Sequence, residues 1–157
     1  MTPAGVETHV TATAVSATAI VDAAPEAVFD FVRRPANHPI ISGDSSVKAT
    51  TSGPEVLGLN DRFAMSMKVG VPYRITNRVV EFEPGRRIAW CHIFGHRWRW
   101  EIEPAGEGRS RVTETFDLST ARIPAALRLM GYPKGHESNV ASSVANVVAH
   151  FAAVSPG

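Results

Sequence analysis

Glu114 is the residue with the clearest chemical potential, because its side chain breaks an apolar pattern. From Arg109 to about Ser119 a period of two sends Val112, Glu114, Phe116 and Leu118 to one face and Arg111, Thr113, Thr115 and Asp117 to the other. A charged, unpaired carboxylate among apolar side chains is costly, so such a group is either paired or keeps its proton. Glu114 therefore reads as a ligand-contacting or acid/base group, or as a buried or rim hydrogen-bond partner for an Arg or His of a neighbouring strand. His92 and His96 are spaced to meet across a turn, where two imidazoles bind a metal or pass a proton. Two ligands are too few for a metal, and no Cys, Asp or Glu nearby has ligand spacing, so the pair reads as a pocket rim or an exposed pair. His38, His136 and His150 are isolated and read as surface or cap residues. The chain has no Gly-rich phosphate loop, no Ser nucleophile elbow and no His-Glu helix motif, which excludes the common nucleotide, acyl-transfer and metalloprotease chemistries.

These groups need strands to hold them. In His96 to Glu103, alternation puts His96, Trp98, Trp100 and Ile102 on one face and Arg97, Arg99, Glu101 and Glu103 on a solvated one. A three-residue loop of Ile93, Phe94 and Gly95 places glycine at the left-handed position and sets His92 against His96, Trp90 against Trp98 and Ile88 against Trp100. A two-residue loop instead sets Ala89 and Cys91 against the tryptophans; the first register is preferred. Asp61 to Val69 also alternates, with Phe63, Met65, Met67 and Val69 together. Tyr73 to Glu83 is a further strand, and its phase requires a bulge between Asn77 and Val80. The wall so formed, Phe63, Met65, Met67, Tyr73, Trp90, Trp98, Trp100 and Phe116, is either a filled core or the lining of an apolar cavity. The cavity is preferred.

The remaining elements complete an α+β layout with helices on one side of an antiparallel sheet. Residues 1–12 read as a flexible arm, and residues 13–154 as a single domain. A first strand spans Ala14 to Asp22. A helix then opens at Pro25 and stops at Pro35, and a short piece around His38 to Ile41 leads to a strand at Val47 to Thr51. After the last strand, Ile123 to Gly131 reads as a short helix or ordered loop. His136 to Val154 is a long helix whose Val140, Val144, Val147, Val148 and Phe151 form one apolar face. Val144 and Val147 are expected to close the cavity against the sheet.

The chain has 157 residues and a net charge of +1, with no basic tract suited to nucleic acid or an anionic membrane surface. Cys91 has no second cysteine to pair with and reads as a small buried residue in a reducing compartment. No signal-peptide pattern and no spanning apolar run is visible, so the expected location is cytoplasmic.

The order of elements, together with Ile20-Val21-Asp22-Ala23-Ala24-Pro25-Glu26-Ala27-Val28-Phe29, Glu81-Phe82-Glu83-Pro84-Gly85-Arg86-Arg87-Ile88-Ala89-Trp90 and Gly108-Arg109-Ser110-Arg111-Val112-Thr113-Glu114-Thr115-Phe116, resembles the START-like helix-grip (SRPBCC) superfamily. Within it the chain looks most like bacterial polyketide cyclase/dehydrase-like proteins, through Gly131-Tyr132-Pro133-Lys134-Gly135-His136-Glu137. The resemblance implies a helix-grip fold: a curved antiparallel sheet of about seven strands wrapped on a long C-terminal helix, with two short helices after the first strand. It also implies a hollow interior, and it brings no transferable catalytic motif.

The expected function is a carrier or sensor of a hydrophobic small molecule such as a lipid, polyketide or isoprenoid, as a monomer or homodimer without cofactor or metal. The expected ligand contacts are Phe63, Met65, Met67, Tyr73, Trp90, His92, His96, Trp98, Trp100, Glu114, Phe116, Val144 and Val147. The alternative is a polyketide aromatase/cyclase or dehydratase-type enzyme in which Glu114, His96 or Tyr73 moves protons. A third reading, a protein-interaction module, requires a filled core and an exposed apolar edge.

Overall fold

A computed structural model describes residues 2–122, 124–129 and 134–154. The strands are β1 (Glu7–Val10), β2 (Ala14–Val21), β3 (Val47–Ser52), β4 (Arg62–Val69), β5 (Val71–Glu83), β6 (Arg87–Cys91), β7 (Arg97–Pro104) and β8 (Ser110–Asp117). Helices α1 (Pro25–Val32) and α2 (His38–Ile41) follow β2, while α3 (Pro124–Leu129) and α4 (Glu137–Val154) follow β8. The eight strands form one antiparallel sheet in the order β1-β2-β8-β7-β6-β5-β4-β3. This is the helix-grip arrangement expected, with one strand more than the seven read from the sequence.

The additional strand corrects the expectation of a loose arm over residues 1–12. Glu7–Val10 pairs in register with β2, from Glu7 opposite Thr18 to Val10 opposite Val15. Thr8 also donates from its hydroxyl to Glu137 at 2.8 Å, tying this edge to the start of α4. Four residues are too few for alternation to announce a strand, and pairing with the longer β2 supplies the order that the sequence pattern lacks.

Pro25 pre-sets the first turn of α1, whose Val28, Phe29, Phe31 and Val32 are buried. Phe31 meets Phe151 of α4 edge-on at 5.5 Å. Helix α4 buries Val140, Ala141, Val144, Val147 and Phe151 and lies chiefly over β2 and β8. It therefore covers one half of the sheet, while the short helices α1 and α2 reach the other half at β7, at Phe82 of β5 and at Trp90 of β6.

On that half the hairpin register is the one that Gly95 implies. Trp90 stands opposite Trp98 and Ile88 opposite Trp100, Gly95 adopts φ +80°, and its N–H donates to His92 O at 3.0 Å. The phase change in β5 is a bulge between Val79 and Glu81 against β6, so the extra residue is Val80. The opposite face is less open than alternation implied. Arg97 and Arg99 were expected on a solvated face, yet Arg99 forms a fork on Glu81 at 2.8–3.2 Å and reaches Asp117 at 3.1 Å, and Arg97 meets Glu81 at 2.8 Å. The side chains of Arg99, Glu81 and Asp117 are only 17%, 19% and 14% exposed, because neighbouring strands bring three elements' charges into one cluster.

Candidate functional site

Between the sheet and the helices lies a cavity of about 620 Å³, within the roughly 300–1,000 Å³ that small-molecule sites occupy. Its walls come from alternate residues of four strands: Met65, Met67 and Val69 on β4, Tyr73, Ile75 and Asn77 on β5, Trp90 on β6, and Trp98 and Trp100 on β7. The period of two delivers these side chains to a single face. The β6–β7 turn adds His92, Phe94 and His96. The segment from α2 into β3 adds His38, Ile41, Ser42, Asp44, Ser46 and Val47. Glu114 of β8, His136, and Asn139 and Ser143 of α4 complete it.

Glu114 sits at the polar end. It is 5% exposed, with Trp100 beside it on β7 and Ala17 on β2. Burial pushes its carboxyl well above the usual carboxylate range; a hydrogen bond from Ser143 opposes the shift, and the charge of Asp44 adds to it. Its Oε2 has no hydrogen-bond partner among the described residues. Ser143 in turn accepts the Gly43 N–H at 3.0 Å. Asp44 is in the opposite state. Burial works against its charge, but Ser46 and Ser42, with the Ser46 N–H at 2.9 Å and the Ser42 hydroxyl at 3.2 Å, hold it below its ordinary range. The cavity thus holds two carboxyls whose surroundings act in opposite senses, favouring the protonated form of Glu114 and the ionised form of Asp44.

Its imidazoles are neutral. His38 is buried, and its pKa is pushed down by burial to about 4, while its Nε2 donates to Val32 O at 2.9 Å. It stacks on Trp90 at 4.7 Å and meets Phe63 edge-on. His96 is pushed down to about 4 by burial, with His92 and His136 adding to the effect, and burial also lowers His92 and His136. His92 and His96 do meet, ring against ring at 4.4 Å and perpendicular. His96 and His136 both pack on Phe116, at 5.0 and 4.3 Å. Among the described residues no group of three His, Cys, Asp or Glu is placed to hold a metal.

Of the expected contacts, Met65, Met67, Tyr73, Trp90, His92, His96, Trp98, Trp100 and Glu114 do line the cavity. Phe63, Phe116, Val144 and Val147 do not. They are buried in the packed core, Phe63 behind Trp90 and His38, and the two valines in the part of α4 that lies over β2 and β8. Tyr73 is 46% exposed and stands at the mouth with Val69 and Phe94, far shallower than Glu114. His38 and His136 are corrected from surface or cap residues to lining residues, and His150 stacks on Phe31 at 4.1 Å. The sequence reading also passed over Asp44, Ser46, Asn139 and Ser143. A signal existed for the last two, since Asn139, Ser143 and Asn146 recur at i, i+4 and i+7 and mark a polar strip on α4. The linker residues 131–133, singled out in the sequence, lie outside the described residues.

Comparison with known families places this geometry. A family model described as polyketide cyclase/dehydrase and lipid transport matches residues 12–152. The chain belongs to that family. An uncharacterized Mycobacterium tuberculosis protein, Rv0088, is 35% identical over 136 residues, which are 83% of this chain and 61% of that protein. The chain therefore spans about three fifths of the length of the curated relatives it matches. Among solved structures, a Rhodobacter sphaeroides protein superposes with TM-score 0.69 at 17% identity, covering 96% of this chain and 99% of that one. The Zhui aromatase/cyclase of Streptomyces sp. R1128 superposes with TM-score 0.67 at 17% identity, covering 88% and 93%. At these identities the likeness is one of fold. No described helix is long and apolar enough to cross a membrane.

Proposed function

We propose that the chain is a carrier or sensor that binds one hydrophobic small molecule, a lipid, polyketide or isoprenoid, in the cavity between the sheet and the helices. The single observation behind this reading is the 620 Å³ space walled by Trp90, Trp98, Trp100, Met65, Met67 and Ile75. A lining of this kind gains from taking apolar surface out of water. The titratable groups fit a carrier: the imidazoles are neutral and Asp44 is already held by Ser42 and Ser46. The test is native mass spectrometry of the protein purified from its own organism, followed by extraction and identification of the released molecule. A co-purifying apolar adduct is the expected result, and a persistently empty protein that also takes up no added lipid overturns the reading.

One observation favours a second reading, an aromatase/cyclase or dehydratase-type enzyme. A protonated carboxyl at Glu114 and a neutral imidazole at His96 share one cavity, the states that a general acid and a general base require. Incubation of the purified protein with a β-hydroxy ketone chain separates the two. A carrier returns the chain unchanged, whereas a dehydratase returns it lighter by one water.

A further inference from the structure

We propose that Glu114 recognises an uncharged carbonyl oxygen, that of a ketone, ester or amide, on an otherwise apolar ligand, and that the site rejects carboxylate-ended molecules. This rests on the cavity being the ligand site, and it names the polar group that the ligand must carry. Ser143 hydrogen-bonds the Glu114 carboxyl, and yet its Oε2 is buried with no partner among the described residues. A buried polar atom left unmatched is costly, and a ligand acceptor placed there relieves that cost. Burial favours the protonated form of Glu114, and in that form the carboxyl brings an O–H donor to the site.

The rest of the lining supplies the selectivity. No Lys or Arg is among the described residues that line the cavity, so a carboxylate would enter without a counter-charge. It would also meet the ionised Asp44 and imidazoles held neutral by burial. Stripping a carboxylate of water without a cationic partner is unfavourable, whereas a carbonyl loses far less on entry. Asp44 does not offer the same recognition, because its Oδ1 already accepts from Ser42 and Ser46.

Four probes of equal chain length test this: tridecane, methyl undecyl ketone, tridecanoic acid and tridecylamine. Binding is followed at neutral pH by intrinsic fluorescence, since the three tryptophans of the chain all line the cavity. The wild-type protein is expected to bind the ketone about tenfold more tightly than the alkane, and the acid more weakly than the ketone. Glu114→Gln, which keeps a donor of the same shape, retains the preference. Glu114→Leu removes it while still binding the alkane. A ketone preference that survives Glu114→Leu, or an acid or amine that binds most tightly to the wild type, overturns the proposal. If the Leu variant does not fold, the wild-type ranking and the Gln variant still decide. Binding of none of the four overturns the cavity reading as well, whereas binding in the wrong order overturns this one alone.

Discussion

Replacing His38 by Gln should flatten the protein's loss of stability in mild acid. His38 is enclosed between Trp90 and Phe63, its pKa pushed down by burial to about 4 from the ordinary 6.5, with Nε2 donating to Val32 O. As pH falls below 6.5 the unfolded chain takes up this proton and the native chain does not. Stability is therefore whole above the unfolded value and declines until the folded value near 4 is reached. Integrating that difference between pH 7.5 and pH 5 gives about 2 kcal/mol from this one residue. A Gln amide can donate to the same carbonyl and does not titrate. Loss of stacking on Trp90 shifts the Gln variant by an amount independent of pH, so it cancels when each protein is compared with itself. Urea denaturation at the two pH values, followed by tryptophan fluorescence, should show the wild type losing about 2 kcal/mol more than His38→Gln, or about 1 M in midpoint for a typical slope. His96, with its pKa also near 4, is present in both proteins and drops out. Equal acid losses in the two proteins would refute the placement of His38 as a neutral, water-excluded imidazole.

Other perturbations follow from single contacts. Gly43→Ala drives a methyl into the backbone oxygen of Asn139, so α4 or the loop must move; a loss of about 1–3 kcal/mol is expected by chemical denaturation, with weaker ligand uptake. Arg99→Met leaves Glu81 and Asp117 facing each other without their shared cation. Thermal melts should show clear destabilisation at neutral pH that shrinks when Glu81→Gln is added, as a double-mutant cycle would reveal. Met67→Trp fills part of the cavity from a half-buried position, so ligand capacity should fall in a fluorescence titration while the melting temperature holds or rises.

Much of this architecture is legible in the sequence, and the limits have physical causes. Gly95 fixes a hairpin register because a left-handed residue is needed at one place only, and that register aligns Trp90 with Trp98. Glu114 stands out because alternation assigns it a face on which a carboxyl is out of place. Alternation reports the face and not the depth. Phe63 and Met65 belong to the same side of β4, yet only Met65 reaches the cavity, because His38 and Trp90 close over Phe63. Phe116, Val144 and Val147 fall in the core for a similar reason, as α4 covers β2 and β8 rather than the middle of the sheet. Asp44, Ser42 and Ser46 belong to a connection without periodicity, so nothing local marks them. Arg99 looked solvated because its partners Glu81 and Asp117 lie on other strands, and one strand's pattern holds no information about its neighbours' charges.

Ser143 joins three distant parts of the chain, the loop at Gly43, strand β8 at Glu114 and helix α4, with Gly43 one hundred positions away in sequence. The strands that carry the aromatic walls all precede α4 in the chain, so the Ser143 hydroxyl is the last part of this hydrogen-bonded set to be synthesised. Through that one hydroxyl, Glu114 and the loop that walls the other side of the cavity are tied to the same turn of α4.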